Sequence, residues 1–140
     1  MPTAVRPSVR EFFERYERAS DTLDTSAINE AFHDTFLNLD PGSAKPVRRE
    51  QLIAALPMRE RLFASIGATG MALSGMEETP LDDLHTLVET QWTVRFDPSA
   101  DQAPLILESA FLLRLDGGRW RIVLYLNHHD VGALIAARRS

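Results

Sequence analysis

The sequence predicts an α+β protein in which three N-terminal helices pack on a strongly curved, mainly antiparallel sheet. Three observations predict it. Up to Gly67, apolar residues recur every three or four positions, the spacing of helix faces. Beyond Gly67 the chain becomes β-rich, in stretches near 68–76, 84–96, 105–115 and 119–129. The connections between those stretches are short and turn-like, which makes neighbouring strands antiparallel.

The elements follow in order. Pro2 and Pro7 punctuate a leader, residues 1–7, expected to be loose. Ser8 caps a first helix, with Glu11 at capping-box spacing. Val9, Phe12, Phe13, Tyr16 and Ala19 form its apolar and aromatic face, which must bury against something. Asp24 starts a second helix with Ala27, Ile28, Ala31 and Phe32 inward, and a short strand is expected at 35–39. Asp40-Pro41-Gly42-Ser43 then makes a turn. A third helix is expected from about Val47 to Ser65, kinked or broken at Pro57 and ended by Gly67.

In the sheet, Glu77 to Asp83 with Pro80 reads as an acidic, solvated loop. Asp97-Pro98-Ser99 makes a second turn, and Asp116-Gly117-Gly118 a tight hairpin. Asp130 caps a short C-terminal helix, residues 131–139, whose last turn carries Arg138 and Arg139 as the helix dipole favours. The whole chain, residues 1–140, reads as one domain.

Composition bounds the function. Hydrophobic residues make up 44% of the chain, enough for a substantial core. The net charge of −5 and the lack of a basic stripe argue against nucleic acid and anionic membranes as partners. With no cysteine, disulfides, thiolate nucleophiles and cysteine-held metals are excluded. Residues 1–10 have no apolar run of signal-peptide type, and no segment reaches the length of a membrane-spanning helix, so a cytoplasmic protein is expected. No glycine-rich phosphate loop or nucleophile elbow occurs, and no cofactor is called for.

Helix, helix, short strand, helix and four-stranded meander is an order that resembles the nuclear transport factor 2-like superfamily, over roughly residues 8–129. The N-terminal half is similar to the ketosteroid isomerases and the SnoaL-like polyketide cyclases of that group. The residues carrying the likeness are Arg15-Tyr16, Asp40-Pro41, Arg49-Glu50-Gln51 and Ile53-Ala54-Ala55. The resemblance implies a cystatin-like, NTF2-like cone with a pocket inside. It implies that Tyr16 donates a hydrogen bond to a developing enolate and that Asp40 shuttles a proton. The isomerases place a second acid where this chain has Phe111, and Glu108, three residues away, has the opposite strand parity.

Tyr16 and Asp40 are therefore the catalytic candidates. Each also has a plain structural reading: Tyr16 as an amphipathic core residue, Asp40 as a turn-former before Pro41. Phe13, Phe32, Trp92, Phe111, Tyr125, Asn127 and His129 are expected to line the pocket, the last two by sharing strand parity with Tyr125. His128 and His129 are adjacent, so on a strand they point to opposite faces and do not converge on a metal; no metal site is expected. Trp120 is expected to pack the hairpin end. Arg95, Arg114 and Arg121 are expected to pair with acids such as Glu89 and Glu108, and His33 and His85 to be peripheral.

The third and fourth stretches carry apolar residues of both parities: Phe111 and Leu113 against Leu112, and Val123 against Ile122 and Leu124. Helices cover only one face, so the outer sheet face is expected to join a homodimer. Two functions stay open. One is a pocket protein binding a small apolar, carbonyl-bearing molecule. The other is an isomerase, dehydratase or cyclase using Asp40 as base and Tyr16 as hydrogen-bond donor.

Overall fold

Local hydrogen bonds start the first, second and C-terminal helices where the capping residues predict. In the computed structural model, which describes residues 6–139, Ser8 Oγ accepts the Glu11 N–H at 3.1 Å and α1 runs Val9–Thr22. Asp24 Oδ1 accepts the Ala27 N–H at 3.1 Å and opens α2 (Thr25–Ala31). Asp130 Oδ1 does the same for Ala133 at 3.0 Å, ahead of α4 (Val131–Arg139). α3 (Arg49–Ala64) runs through Pro57 unbroken, against the expected kink or break. Its apolar side holds it on both sides of the proline: Leu52 and Leu56 before it, and buried Phe63 after it, pack on the core. Packing of an amphipathic face here outweighs one missing backbone bond.

Among the described residues the sheet has six strands in the order β2-β1-β6-β5-β4-β3: β1 Phe32–Asp40, β2 Ser43–Arg48, β3 Ala68–Pro80, β4 His85–Phe96, β5 Ile106–Asp116 and β6 Arg119–Asn127. β1 starts three residues earlier than expected, directly after α2. β2 is not among the expected strands: its ends fall on the expected turn at Ser43 and the expected helix start near Val47. It lies at the sheet edge, where a proline costs no ladder bond. Glu77 to Pro80, expected in a loop, extend β3.

α3 carries the chain from β2 to the far edge of the sheet. The meander β3–β6 then walks back until β6 meets β1. That closing pair, β1 with β6, is the parallel one in an otherwise antiparallel sheet. The β5–β6 hairpin turns on Gly117 and Gly118 with φ of 58° and 79°, the left-handed pair such a turn needs.

A register shift between Leu112 and Leu113 places an extra residue in β6. It brings Ile122 and Tyr125, three apart, both to the inner face, where each is buried. Ile122 and Leu124 therefore do not share a face as simple alternation predicts. The inner face also carries Val88, Trp92, Phe111 and Leu113, which meet Phe13 of α1 and Phe32 and Phe36 of β1 in the core. On the outer face Leu87, Leu112, Leu124 and Leu37 stand opposite one another across four neighbouring strands.

Residues 1–5 of the expected leader lie outside the described residues. Arg6 and Pro7 are tied to the sheet. Arg6 donates to Thr86 Oγ1 at 3.1 Å and stacks over the Trp120 ring, and the Trp120 indole N–H donates to the Pro7 carbonyl at 2.8 Å. Trp120 thus packs the hairpin end, as expected, and buries almost completely there.

Candidate functional site

Between the helices and the inner sheet face lies a cavity of about 420 Å³. Each wall follows from an amphipathic element turning its apolar side inward. α1 supplies Tyr16 and Ser20. α2 supplies Ile28. α3 supplies Leu52, Leu56, Arg59 and Phe63. The sheet supplies Met71, Trp92, Leu107, Ser109, Phe111, Tyr125 and Asn127. The lining residues exposed to solvent are Ser20, Asp21, Glu60, Ala64 and Thr69. They place the mouth between the C-terminal ends of α1 and α3 and the start of β3.

Five of the residues expected to line a pocket do so: Tyr16, Trp92, Phe111, Tyr125 and Asn127. Tyr16 is the hub of the ring packing. Its ring lies 5.9 Å from Phe111, 6.0 Å from Phe32, 6.1 Å from Phe13 and 6.1 Å from Trp92, centroid to centroid, in tilted or edge-on geometry. Phe13 and Phe32 are fully buried and form the layer behind the wall rather than the wall itself. The Phe111 ring centre lies 4.7 Å from that of Tyr125, and this side chain offers no proton.

His129 is not on the wall. β6 ends at Asn127, so strand parity no longer steers the residues beyond it, and the His129 N–H donates to Asn127 Oδ1 at 3.2 Å. Among the described residues no three His, Asp or Glu side chains are grouped to hold a metal.

Asp40 lies apart from the cavity lining. β1 pairs with β6 as far as Leu39 opposite Leu126, and Asp40 closes the hairpin into β2 opposite Ser43. Its Oδ1 accepts the Gly42 N–H at 2.8 Å and the Ser43 hydroxyl at 3.3 Å. This is an Asx-type turn, the local chemistry that favours aspartate at such a position. Of the arginines expected to pair with acids such as Glu89 and Glu108, Arg95 meets Asp21 at 2.5 Å and Arg114 meets Asp116 at 3.0 Å.

The residue sequence reasoning missed is Arg59. Its signal was its spacing. Leu52, Leu56, Arg59 and Phe63 fall at i, i+4, i+7 and i+11, one face of a helix, so a guanidinium occupies a core-face position. Arg59 donates to the Tyr125 hydroxyl at 3.5 Å and stands 5.8 Å from the Phe63 ring centre. No carboxylate lies within ion-pair distance of it among the described residues. Burial drives the Tyr16 phenol pKa well above its ordinary value of 10.0, and Tyr125 pushes it the same way. The Arg59 charge and the Ser20 hydroxyl pull it only part of the way back. Tyr16 is thus a neutral hydrogen-bond donor at any ordinary pH. Arg59, held further up by the neighbouring Tyr125, is a permanent cation.

With this architecture in view, comparison with solved structures is decisive for the fold. An NTF2-like protein of unknown function from Shewanella oneidensis superposes with a TM-score of 0.69 over 86% of this chain and 96% of its own, at 14% identity. An NTF2-like protein with a cystatin-like fold from Novosphingobium aromaticivorans gives 0.69 over 94% and 86%, at 19% identity. The fold is NTF2-like. A cystatin-like protein of unknown function from Nostoc punctiforme agrees, with 0.66 over 90% and 96% at 14% identity. No protein-family profile and no curated protein sequence matches the chain. At these identities the likeness fixes the NTF2-like fold, built among the described residues from four α-helices and an open six-stranded mixed sheet, and leaves function to the cavity. No helix among the described residues is long and apolar enough to cross a membrane.

Proposed function

We propose that this NTF2-like protein binds a small, mainly apolar, carbonyl-bearing molecule in the cavity, with the Tyr16 hydroxyl as the donor to its oxygen. One observation carries the reading: a cavity of about 420 Å³, walled by aliphatic and aromatic side chains, into which a neutral phenol faces. The volume falls within the range of about 300–1,000 Å³ usual for small-molecule sites, and a few polar groups on an apolar wall is their common pattern. Calorimetric titration with naphthamide, an apolar ring bearing one carbonyl, tests it. Binding is expected to the natural chain and to be lost in Leu56→Trp, which fills the cavity from α3. No binding, or equal binding to the filled variant, would overturn the reading.

A second reading, an isomerase, dehydratase or cyclase, is favoured by the clustering of Tyr16, Arg59 and Tyr125. Such a cluster stabilises negative charge developing on a substrate oxygen. In this reading Asp40, which stands outside the lining, would have to turn from its hairpin contacts toward the cavity to remove the proton. Asp40→Asn is then expected to cost about 10²–10⁴ in rate on a turned-over substrate. Unchanged turnover would leave Asp40 as a turn residue alone.

We also propose a cytoplasmic homodimer joined through the outer sheet face. The in-register row Leu37, Leu87, Leu112 and Leu124 supports it, Leu37 being 38% exposed. Light scattering is expected to give twice the chain mass of 15.7 kDa, and Leu112→Glu to give the single mass. A single mass for the natural chain would refute the dimer.

A further inference from the structure

The charge balance of the cavity is uneven. Burying a guanidinium is costly unless an acceptor or a counter-charge compensates it. Arg59 lines the cavity, yet the one protein acceptor it meets among the described residues is the Tyr125 hydroxyl, at a long 3.5 Å. A guanidinium carries five N–H donors, so most of this fork is left for something else. The charged groups nearest to it do not offer a partner. Two carboxylates line the cavity, Asp21 and Glu60, and both are exposed at the mouth. Asp21 is already engaged by Arg95, and it accepts the Met71 N–H as well. Deeper in the cavity Tyr16, Tyr125, Ser109 and Asn127 are uncharged polar groups, as is Ser20 at the mouth. The cavity interior therefore holds one uncompensated positive charge in a chain whose net charge is −5.

We infer that the molecule the cavity takes is an apolar carboxylate, its ring or chain against Leu107, Phe111 and Trp92 and its carboxylate between Arg59 and Tyr16. Arg59 supplies the planar fork that matches two carboxylate oxygens, and Tyr16 adds a neutral O–H donor. The positive charge is what distinguishes this ligand class from a neutral ketone or amide. A neutral carbonyl would satisfy one donor and leave the charge unpaired. The inference rests on the cavity being a ligand site and names what that site selects.

Naphthoate and naphthamide share one ring system and nearly one shape, and differ in charge. Calorimetric titration of the full chain with each separates the inference from the reading beneath it. The natural protein is expected to bind naphthoate tenfold to a hundredfold more tightly than naphthamide, the span of a charge-assisted hydrogen bond. Arg59→Met is expected to abolish that preference while still binding naphthamide. Arg59→Lys, which keeps the charge and loses the fork, is expected to retain part of it, and it decides the matter should the methionine variant not fold. Equal affinity for the two probes in the natural protein would overturn the carboxylate assignment and leave the ligand site standing. A preference for naphthoate that survives in Arg59→Met would overturn it too, by placing the selective charge elsewhere. Failure of both probes to bind would overturn the site itself and the inference with it.

Discussion

The cavity and the β1–β2 hairpin treat their polar groups in opposite ways. Inside the cavity, Tyr16 is ringed by Phe13, Phe32, Trp92 and Phe111, and its proton is held far more tightly than in water. At the hairpin, Asp40 spends one carboxylate oxygen on the N–H and hydroxyl of its own turn. Both residues belong to the stretches that carry the sequence resemblance to the isomerases. Only one has been taken out of water and set facing an open space. Position along the chain is shared between the two cases; desolvation is not, and desolvation is what gives a polar group leverage on a ligand.

The largest expected effect sharpens the structural half of this contrast. Phe111 is almost fully buried and touches the rings of Phe13, Tyr16 and Tyr125. Phe111→Ala is expected to cost about 3–5 kcal/mol of stability, by the range for buried aromatic truncations. Chemical denaturation measures it. A loss below about 1 kcal/mol would mean that the cavity wall is looser than the ring packing shows.

A smaller effect appears at alkaline pH. Below pH 10 Tyr16 is protonated in both the folded and the unfolded chain, and its contribution is intact. As pH rises past its ordinary value of 10.0, the unfolded phenol releases its proton first, because burial holds the folded one higher. The unfolded state then binds fewer protons than the folded one. Stability should therefore fall with pH, by at most about 1.4 kcal/mol per unit. Tyr16→Phe should flatten that fall. The chain has two tyrosines, so phenolate absorbance can follow the same event in the folded protein. A folded chain whose two phenols both titrate near 10 would break the contrast between cavity and hairpin.

The smallest effect belongs to the hairpin. Asp40→Asn keeps an oxygen for the Gly42 N–H and the Ser43 hydroxyl, so the melting temperature should shift by no more than the equivalent of about 0.5 kcal/mol. Asp40→Ala removes that acceptor and should cost about 1 kcal/mol. Equal losses for the two variants would show that the charge, rather than the turn bond, matters there.

Much of the fold was readable because local chemistry and long-range pattern agree. Ser8, Asp24 and Asp130 mark helix starts, and Gly117-Gly118 marks a hairpin, by mechanisms that need no tertiary context. β2 was hidden because what makes Lys45-Pro46 acceptable in a strand is its place at the sheet edge, a property of topology. The bulge in β6 was hidden for a similar reason, since only pairing with β5 reveals that Ile122 and Tyr125 share a face. At the candidate site, the aromatic lining followed from helix and strand periodicity. Arg59 escaped because arginine on a helix is ordinarily solvated, and its place on the face of Leu52, Leu56 and Phe63 is visible only when the charged residue is counted in the apolar stripe. His129 was misplaced because strand alternation was carried two residues past the end of β6.

The most direct test of cavity against hairpin is a parallel calorimetric titration of the natural chain, Tyr16→Phe and Asp40→Asn with naphthamide. Loss of one buried hydrogen bond should weaken binding to Tyr16→Phe by roughly twofold to tenfold, while Asp40→Asn binds as the natural chain does. Weakened binding to Asp40→Asn with Tyr16→Phe unaffected would contradict the account.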